Sequence, residues 1–188
     1  MQRCSWCGED PLYQHYHDTE WGVPERDGRA LWEKLILDGF QAGLSWITIL
    51  RKRDNFRAAF EGFDPEVIAT WGEDDVTRLL SDAGIIRHRG KIAATITNAQ
   101  AYLDLGGPDA FAKMIWDYVD GQPLVGHYAT QAEVPTASDL STLISKDLKK
   151  AGFKFCGPTI VYAWLEACGV FMNHTQDCHR YPTLSATG

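Results

Sequence analysis

The chain has 188 residues, 45% of them hydrophobic and 23% charged, which suffices for one domain, or two small ones, with a real core. A net charge of −7 and a pI near 5.3 argue against a protein that coats nucleic acid nonspecifically, without excluding a DNA enzyme with a local basic patch. No apolar stretch approaches the ~20 residues that span a bilayer, and the N-terminus has no signal-peptide core, so we expect a cytoplasmic protein.

Helical periodicity dominates the rest of the chain, and no segment alternates as a strand between hairpin turns. The pattern predicts an all-α fold of about eight helices, over RALWEKLIL, LSWITIL, DPEVIATW, EDDVTRLLSDAG, RGKIAATITNAQAYLDLGG, DAFAKMIWDYV, SDLSTLISKDLKKAG and PTIVYAWLEACG. Asp64 is the expected N-cap of the third helix, with a proline at its first position. We expect Gly84 to end the fourth helix and the pair Gly106 and Gly107 to end the fifth. One long irregular stretch remains, from 121 to 138.

A glycine-bounded turn separates the last two predicted helices. It runs from Gly152 to Gly157, follows Lys149 and Lys150, and leads into Pro158. Glycines permit a tight turn and the close approach of another molecule, and the free N–H groups that begin the second helix attract an anion such as phosphate. The turn therefore resembles a helix-hairpin-helix element, which binds the DNA backbone without reading its sequence. An ordinary helical turn with two glycines is the alternative.

Basic residues also cluster in RHRGK, residues 87–91. Arg87, Arg89 and Lys91 could contact phosphates, or they could form the solvated start of a helix. The pattern leaves both interpretations open.

Four residues of metal-ligand type stand near the chain ends. Cys4 and His17 lie near the start, and His174 and Cys178 are four residues apart near the end, on one face if that segment is helical. Two thiolates and two imidazoles form a tetrahedral zinc set, and a closed set of four protein ligands is structural. A knuckle built on Cys4 and Cys7, or loose ends with unlinked residues, are the alternatives. We expect the other two cysteines to be small core residues and none to form a disulfide.

The stretch LILDGFQAGLSW, residues 35–46, places one carboxylate, Asp38, in an apolar run. A buried charge is costly unless it is paired or takes part in function. We therefore interpret Asp38 as a candidate functional residue. A carboxylate at a helix end, bonded to nearby amides, is the alternative.

These stretches together resemble one family. RCSW, DPLYQHYHDTEWGVP, DGFQAGLSWITIL, DAGIIRHRGKI, GFKFCGPT and YAWLEACG, in this order from residue 3 to about 182, are similar to the bacterial 3-methyladenine DNA glycosylase I family. The resemblance implies a helix-hairpin-helix glycosylase fold in one domain, 1–188, whose terminal segments, about 1–25 and 170–188, are joined by one structural zinc ion at Cys4, His17, His174 and Cys178. It implies a monomer that flips 3-methyladenine out of double-stranded DNA and hydrolyses its N-glycosidic bond in base excision repair.

The resemblance also implies a role for each site residue. The base-contacting residues would be Asp38, Tyr16 and, by stacking, Trp46, and the pocket would be lined by Trp6, Tyr13 and Trp21. The gap left in the duplex would be filled by Gly43 and by Leu44 as an apolar wedge. The DNA backbone would be held by Gly152, Lys154, Gly157 and Thr159. Because the alkylated base is cationic and leaves readily, an aromatic wall and a carboxylate suffice to select it.

Three positions bear on the mechanism. Asp38 stands where better-known family members carry glutamate, so its carboxylate reaches ~1.5 Å less far. Thr159 stands where bifunctional glycosylases carry a lysine nucleophile, so we expect no Schiff base and no strand cleavage. Asn173 stands near the place of an aspartate that activates water in related enzymes, and an amide cannot act as a base. We therefore expect binding geometry to supply most of the rate.

Different functions remain open at this point. The aspartate at position 38 and Phe40 are compatible with a glycosylase of the same fold that prefers another damaged base. The chain could also be a catalytically silent zinc protein that binds damaged DNA, or a purely structural all-α protein. Release of free base distinguishes a glycosylase from both.

Overall fold

The structure, a computed structural model, describes residues 1–186; residues 187 and 188, the end of the predicted terminal segment 170–188, lie outside the described residues. The described part contains ten α-helices: α1 (Pro11–Thr19), α2 (Gly28–Gln41), α3 (Trp46–Ala59), α4 (Pro65–Ile68), α5 (Glu73–Ser81), α6 (Arg89–Asp104), α7 (Gly107–Asp117), α8 (Asp139–Lys150), α9 (Pro158–Ala167) and α10 (Tyr181–Ser185). Three short 3-10 helices cover Ser5–Cys7, Glu61–Phe63 and Gln131–Glu133, and two parallel-paired strands cover β1 (Leu124–Val125) and β2 (Phe171–Met172). None of these described helices is long and apolar enough to cross a membrane.

The all-α prediction is confirmed, and the predicted helices correspond to α2–α9. The two additional helices, α1 and α10, have 9 and 5 residues and carry no apolar stripe long enough to be read from the sequence. The short strands β1 and β2 were not predicted. Each has only two residues, which is too short for alternation to show.

Helix boundaries follow the capping residues at two of three predicted places. Asp64 accepts a hydrogen bond from the backbone N–H of Glu66 at 3.0 Å, so it is the N-cap of α4 as predicted. α6 ends at Asp104, before the glycine pair. The prediction that Gly84 ends α5 is wrong, because α5 ends at Ser81. The side chain of Asp82 accepts from the N–H of Gly84 at 2.7 Å, and this local turn competes with the helix.

Helix α2 lies at the centre of the fold and packs against α3, α6, α7 and α9. Its residues Leu31, Trp32 and Leu35 are buried. Two indole N–H groups tie it to its surroundings: Trp32 donates to the carbonyl of Phe63, and Trp164 donates to the carbonyl of Leu31, both at 3.0 Å. The buried face of this helix also carries Asp38 into the interior.

Helices α8 and α9 pack against each other through the glycine-bounded turn. Gly152 has φ +102°, in the left-handed region that favours glycine. Gly157 has φ −64°, which any residue adopts, so only Gly152 uses the conformational freedom of glycine in this turn. Phe155 supplies the second left-handed residue, with φ +50°. The turn is fastened to α8 by Ser145, whose hydroxyl donates to the carbonyl of Cys156 at 2.6 Å.

The irregular stretch 121–138 holds the C-terminal segment in place. Besides the β1–β2 pairing, the carbonyl of Tyr128 accepts from the N–H of Gln176 at 2.9 Å. The N-terminal segment reaches the same region, because the N–H of His179 donates to the carbonyl of Gln2 at 2.9 Å. The two ends of the described chain therefore lie side by side.

Candidate active site and metal centre

A cavity of about 160 Å³ is lined by α1, α2, α3 and α9 together with neighbouring loops. Its lining contains all six residues that the family resemblance assigned to the base: Trp6, Tyr13, Tyr16, Trp21, Asp38 and Trp46. Five further residues complete it: Gln41, Gln131, Ala163, Glu166 and Ala167. The fold therefore brings the predicted pocket residues together around one space, and their individual roles are still predictions.

Asp38 lies inside α2 and is 4% exposed. Its Oδ2 atom is buried and has no hydrogen-bond partner among the described residues. The alternative that Asp38 is a helix-end carboxylate bonded to amides is therefore wrong. Burial raises the pKa of Asp38 well above its usual range; Lys34 opposes this shift and the carboxylate of Glu166 adds to it. Such a group responds strongly to a positive charge placed beside it.

Aromatic rings form the wall of the cavity. Trp6 contacts the rings of Tyr13 and Trp21 edge-on, with centroid distances of 4.9 and 5.0 Å. The ring centroid of Tyr16 lies 5.5 Å from that of Trp46, the first residue of α3. Burial raises the pKa of Tyr16, so its hydroxyl remains a hydrogen-bond donor at neutral pH. The wall therefore offers π faces and the phenolic groups of Tyr13 and Tyr16.

Unpaired polar atoms are concentrated at this cavity. Among the described residues, six buried side-chain nitrogen or oxygen atoms lack a partner, and four belong to the cavity lining: Trp6 Nε1, Asp38 Oδ2, Trp46 Nε1 and Gln131 Oε1. Each such atom costs ~1–3 kcal/mol when it is left unpaired. A flat polar molecule that both donates and accepts hydrogen bonds would pair with them.

A second carboxylate, Glu166 of α9, lines the same cavity. Its Oε1 atom accepts from Asn173 Nδ2 at 2.9 Å, and the same amide nitrogen donates to the hydroxyl of Tyr162 at 2.9 Å. Burial raises the pKa of Glu166 to about 7, against the opposing effect of the Asn173 hydrogen bond. Asn173, which the sequence placed near a water-activating position, thus holds a carboxylate instead.

The four predicted metal ligands meet in one buried cluster, with one ligand atom each from Cys4, His17, His174 and Cys178 within 4.8 Å of one another. Cys178 Sγ lies 3.4 Å from both His17 Nε2 and His174 Nδ1, and Cys4 Sγ lies 3.5 Å from His174 Nδ1. A tetrahedral zinc ion with these ligand types would separate sulfur and nitrogen by ~3.6 Å. The donor set and its spacing therefore fit a metal ion.

Each histidine of the cluster uses its other ring nitrogen elsewhere. His17 Nδ1 lies 2.8 Å from Asp18 Oδ1, and His174 Nε2 lies 3.0 Å from the carbonyl oxygen of Trp21. Arg3 pairs with Asp18 at 2.7 Å and lowers the pKa of that carboxyl to about 2. Such outer partners orient the rings of metal-binding histidines. One nitrogen of each ring is thereby directed to the cluster.

The two thiols of the cluster differ in acidity. The hydrogen bond between them lowers the pKa of Cys178 and raises that of Cys4. Cys178 therefore ionises readily, and its thiolate opposes the ionisation of Cys4. Cys7 lies outside the ligand group, with its thiol donating to the carbonyl of Cys4 at 3.2 Å. Turns rather than a helix bring His174 and Cys178 together.

The predicted wedge lies in the loop between α2 and α3. Leu44 is 42% exposed, and no atom lies within 4 Å of a Cβ built on Gly43. Lys91 holds this loop, because its ammonium group donates to the carbonyls of Phe40 at 2.8 Å and Ala42 at 2.7 Å. Lys91 is therefore buried, and the interpretation that it contacts phosphate is wrong.

The two arginines of the 87–91 cluster are exposed. Arg89 pairs with Glu73 at 2.6 Å. Arg87 has no ion pair among the described residues, so it is the remaining candidate of this cluster for a phosphate contact.

The predicted DNA-contacting residues of the hairpin turn lie outside the cavity lining. Asn98 of α6 clamps the turn, accepting from the backbone N–H of Lys154 at 2.7 Å and donating to its carbonyl at 3.1 Å. The side chain of Lys154 is left exposed, as is Thr159 near the start of α9. Gly157 is the N-cap of α9, and no side chain caps this helix start. Its first N–H groups are thus available to another molecule.

A family model described as methyladenine glycosylase matches residues 6–181 of this chain. The chain belongs to the methyladenine glycosylase family. It is 52% identical to DNA-3-methyladenine glycosylase 1 of Escherichia coli (strain K12), over 97% of this chain and 98% of that protein. A crystal structure of 3-methyladenine DNA glycosylase I, 52% identical, matches with a TM-score of 0.93 over 96% of this chain and 100% of that one. A structure describing 3-methyladenine recognition by the Staphylococcus aureus enzyme, 40% identical, matches with a TM-score of 0.91 over 97% of both chains.

Sequence reasoning did not predict three polar residues of the cavity in this member of the methyladenine glycosylase family. Glu166 carried a usable signal, since it is an acid in an apolar helix, the same pattern that singled out Asp38. Gln41 lies three residues after Asp38, on the same face of α2. Gln131 carried no signal, because its place depends on how the stretch 121–138 pairs with the C-terminal segment.

Proposed function

We propose that this protein is a monofunctional DNA glycosylase of base excision repair, which removes 3-methyladenine from alkylated double-stranded DNA and leaves an abasic site. The observation that carries the proposal is the aromatic cavity with the unpaired carboxylate oxygen of Asp38 in its lining. The names of its relatives support the substrate. We propose that it acts as a monomer, because one chain supplies the whole lining.

The chemistry of the substrate explains the composition of the cavity. In DNA, 3-methyladenine is cationic, because N3 is alkylated while the glycosidic bond is intact. A cationic base is already a good leaving group, so the enzyme has to capture the flipped base rather than protonate it. Stacking on Trp46 and a negative charge at Asp38 both favour the cation. Neutral adenine gains little from either, which makes the cavity selective.

The remaining polar groups orient the base. Tyr16 keeps its phenolic proton and donates a hydrogen bond to a ring nitrogen, and the indole N–H of Trp6 offers a further donor. Asp38 Oδ2 and Gln131 Oε1 accept from the exocyclic amine. Pairing these groups on entry of the base offsets the cost of leaving them unpaired and the cost of unstacking.

The reaction requires only water as the nucleophile. The water oxygen bonds to C1′ as the bond between C1′ and N9 breaks, the bonding electrons leave with the base, and the second proton of the water passes to solvent. The base departs as neutral 3-methyladenine. Thr159 cannot form a Schiff base, so the strand remains uncut. The amide of Asn173 is engaged with Glu166 and Tyr162, so we assign most of the rate to binding geometry.

We assign a structural role to a zinc ion at Cys4, His17, His174 and Cys178. The spacing of the four ligand atoms and the outer partners of the two histidines support this ion. Four protein ligands leave no position open for water or substrate, so the ion would join the two chain ends and take no part in hydrolysis.

We assign the contact with DNA to the hairpin turn and the α2–α3 loop. Uncapped N–H groups at the start of α9 suit a phosphate, with Gly152, Lys154, Gly157 and Thr159 around them. The exposed Leu44, beside Gly43, suits an apolar wedge that fills the place of the flipped base. The turn and α2 are neighbours, because the carbonyl of Phe155 lies 3.4 Å from a Cβ built on Gly39.

The decisive experiment is base release from methylated duplex DNA by the purified protein. Chromatography resolves 3-methyladenine from 7-methylguanine, and a denaturing gel reports strand cleavage. We expect release of 3-methyladenine with intact strands. No release by a folded, metal-loaded sample that still binds an abasic-site analogue would support a silent binding protein instead, and release of a different base would correct the substrate.

A further inference from the structure

Two carboxylates line the cavity, whereas the proposed function uses one. Asp38 projects from α2 and Glu166 from α9. They are close enough for the charge of Glu166 to raise the pKa of Asp38. Among the described residues, the side chain of Glu166 makes one hydrogen bond, with Asn173, and it engages only Oε1. The second carboxylate oxygen is thus free to contact another molecule.

We propose that Glu166 is a second base-recognising carboxylate, which contacts the cationic base from α9 and determines, together with Asp38, the preference for a cation over a neutral purine. This inference rests on the proposed function, since it places the alkylated base in this cavity. Asn173 is its positioning residue, because one amide nitrogen joins Glu166 to the hydroxyl of Tyr162.

Before a base enters, the hydrogen bonds favour Glu166 as the ionised partner of the pair, and the charge is shared with Asp38 once the cation lies between them. Asn173 donates to its carboxylate and stabilises the ionised form, whereas Asp38 Oδ2 has no donor among the described residues. Asp38 is also 4% exposed, so ionising it without a partner is costly. A pKa of about 7 allows Glu166 to ionise near neutral pH. The two carboxyl groups influence each other's titration, and an entering cation lowers their pKa values so that a proton is released.

The lengths of the two side chains also favour a contact between Glu166 and the base. Aspartate at position 38 ends ~1.5 Å short of the glutamate that the family resemblance leads one to expect. Glu166 carries the longer side chain into the same cavity from another helix. One unit of negative charge, shared between the two carboxyl groups, neutralises one cationic base, and a second unit would be opposed by repulsion between the carboxylates.

Other titratable groups around Glu166 do not supply this charge. Tyr162 on its own helix has its pKa raised by burial to a value that keeps it neutral, and burial does the same to Tyr16 on α1. Lys34 on α2 donates to the carbonyl of Ala167 at 3.1 Å and lowers the pKa of Asp38. Glu166 and Asp38 are therefore the cavity residues that can carry the negative charge opposite a cationic base.

The test compares a cationic probe with a neutral probe that lacks only its N3 methyl group. The 3,9-dimethyladeninium ion mimics the alkylated base in DNA and has no sugar to lose, and 9-methyladenine is its neutral counterpart. Binding of each is followed by quenching of the cavity tryptophans. We expect Glu166→Gln to lower the preference for the cation by at least ~10-fold and to leave binding of 9-methyladenine unchanged. Glu66→Gln, an exposed glutamate of α4, is the matched control and should match the wild type.

A second variant keeps the inference testable if Glu166→Gln folds poorly. Asp38→Asn should keep part of the cation preference, because Glu166 remains, and the double variant should lose it. Equal preference in the wild type and in folded Glu166→Gln, or complete loss in Asp38→Asn alone, would overturn the assignment. Wild-type base release from methylated DNA is measured in parallel, so its absence would reject the glycosylase function and not the role of Glu166.

Discussion

His174 Nε2 lies 3.0 Å from the carbonyl oxygen of Trp21, so a hydrogen bond joins a residue of the candidate metal cluster to a wall residue of the cavity. His17 forms a second link, because it follows Tyr16 in α1 and its ring packs 5.4 Å from that of Trp6. The metal centre and the cavity thus share one piece of structure. A structural ion at this place would set the shape of the base-binding wall without touching the base.

We expect about one zinc ion per chain, and its loss should weaken both stability and base release. Cys178→Ser should lose zinc, lower the Tm by roughly 5–15 °C, and change tryptophan fluorescence through Trp21. Metal analysis, thermal unfolding and fluorescence measure the three effects. Cys7→Ser is the control, since Cys7 is buried beside the cluster but outside the ligand group. Full zinc retention in Cys178→Ser would refute the assigned ligand set.

Asp38→Asn should lower base release roughly 10- to 100-fold while preserving affinity for abasic-site DNA. The variant keeps the shape of the side chain and removes its ability to carry charge beside the cationic base. Single-turnover base release and titration with an abasic-site analogue separate the two effects. Asp54→Asn serves as the control because the side chain of Asp54 is 95% exposed. Unchanged release by Asp38→Asn would end the role of this carboxylate.

The stability of the protein should depend on Glu166 between about pH 4.5 and pH 7. Its pKa is raised from 4.5 to about 7 in the folded state, so over this range the native protein binds more protons than the unfolded chain. The contribution is present below pH 4.5 and is lost as pH rises through 7. Relative to the wild type, Glu166→Gln should gain up to ~3 kcal/mol between pH 4 and pH 8. Denaturant unfolding across this range checks it, and a pH-independent difference would contradict it.

Leu44→Ala should impair base release from duplex DNA by roughly tenfold and have a smaller effect on a single-stranded substrate. An apolar wedge acts by filling the gap in the stack, which exists only in the duplex. Rates on the two substrates, measured with saturating enzyme, give the comparison. Leu143→Ala replaces a leucine of similar exposure, 47% against 42%, and should behave as the wild type. Equal losses on both substrates would argue against a wedge.

The two glycines of the hairpin turn should respond differently to alanine. Gly152→Ala should destabilise the fold by ~1–2 kcal/mol, because Gly152 has φ +102°. Gly157→Ala should leave stability within ~0.5 kcal/mol, since its backbone is ordinary and no atom lies within 4 Å of the added Cβ. It should nevertheless weaken DNA binding, because a methyl group then separates the backbone from phosphate. Normal DNA affinity in Gly157→Ala would remove this turn from the interface.

Local patterns explain which features could be predicted from the sequence. Asp64 caps α4, and the periodic burial of Leu31 and Leu35 marks α2, because both effects act within one or two helical turns. Helix α1 was missed although the sequence carries its start signals, since Asp10 caps it and Pro11 is its first residue. The metal ligands were predicted by residue type, but the ring nitrogen that faces the cluster depends on Asp18 and on the carbonyl of Trp21.

The sequence alone was enough to predict the helical class, the glycine-bounded turn, the four residues of the candidate metal cluster and, through the family resemblance, six residues that line the cavity, because periodicity, capping and motif order are properties of neighbouring residues. Three features became visible in the folded structure alone: Lys91 is buried against the end of α2, Asn173 holds Glu166, and Gln131 reaches the cavity from a distant loop. Burial and hydrogen-bond partners depend on segments far apart in the chain, and these set both the charge of the site and the groups that face the base.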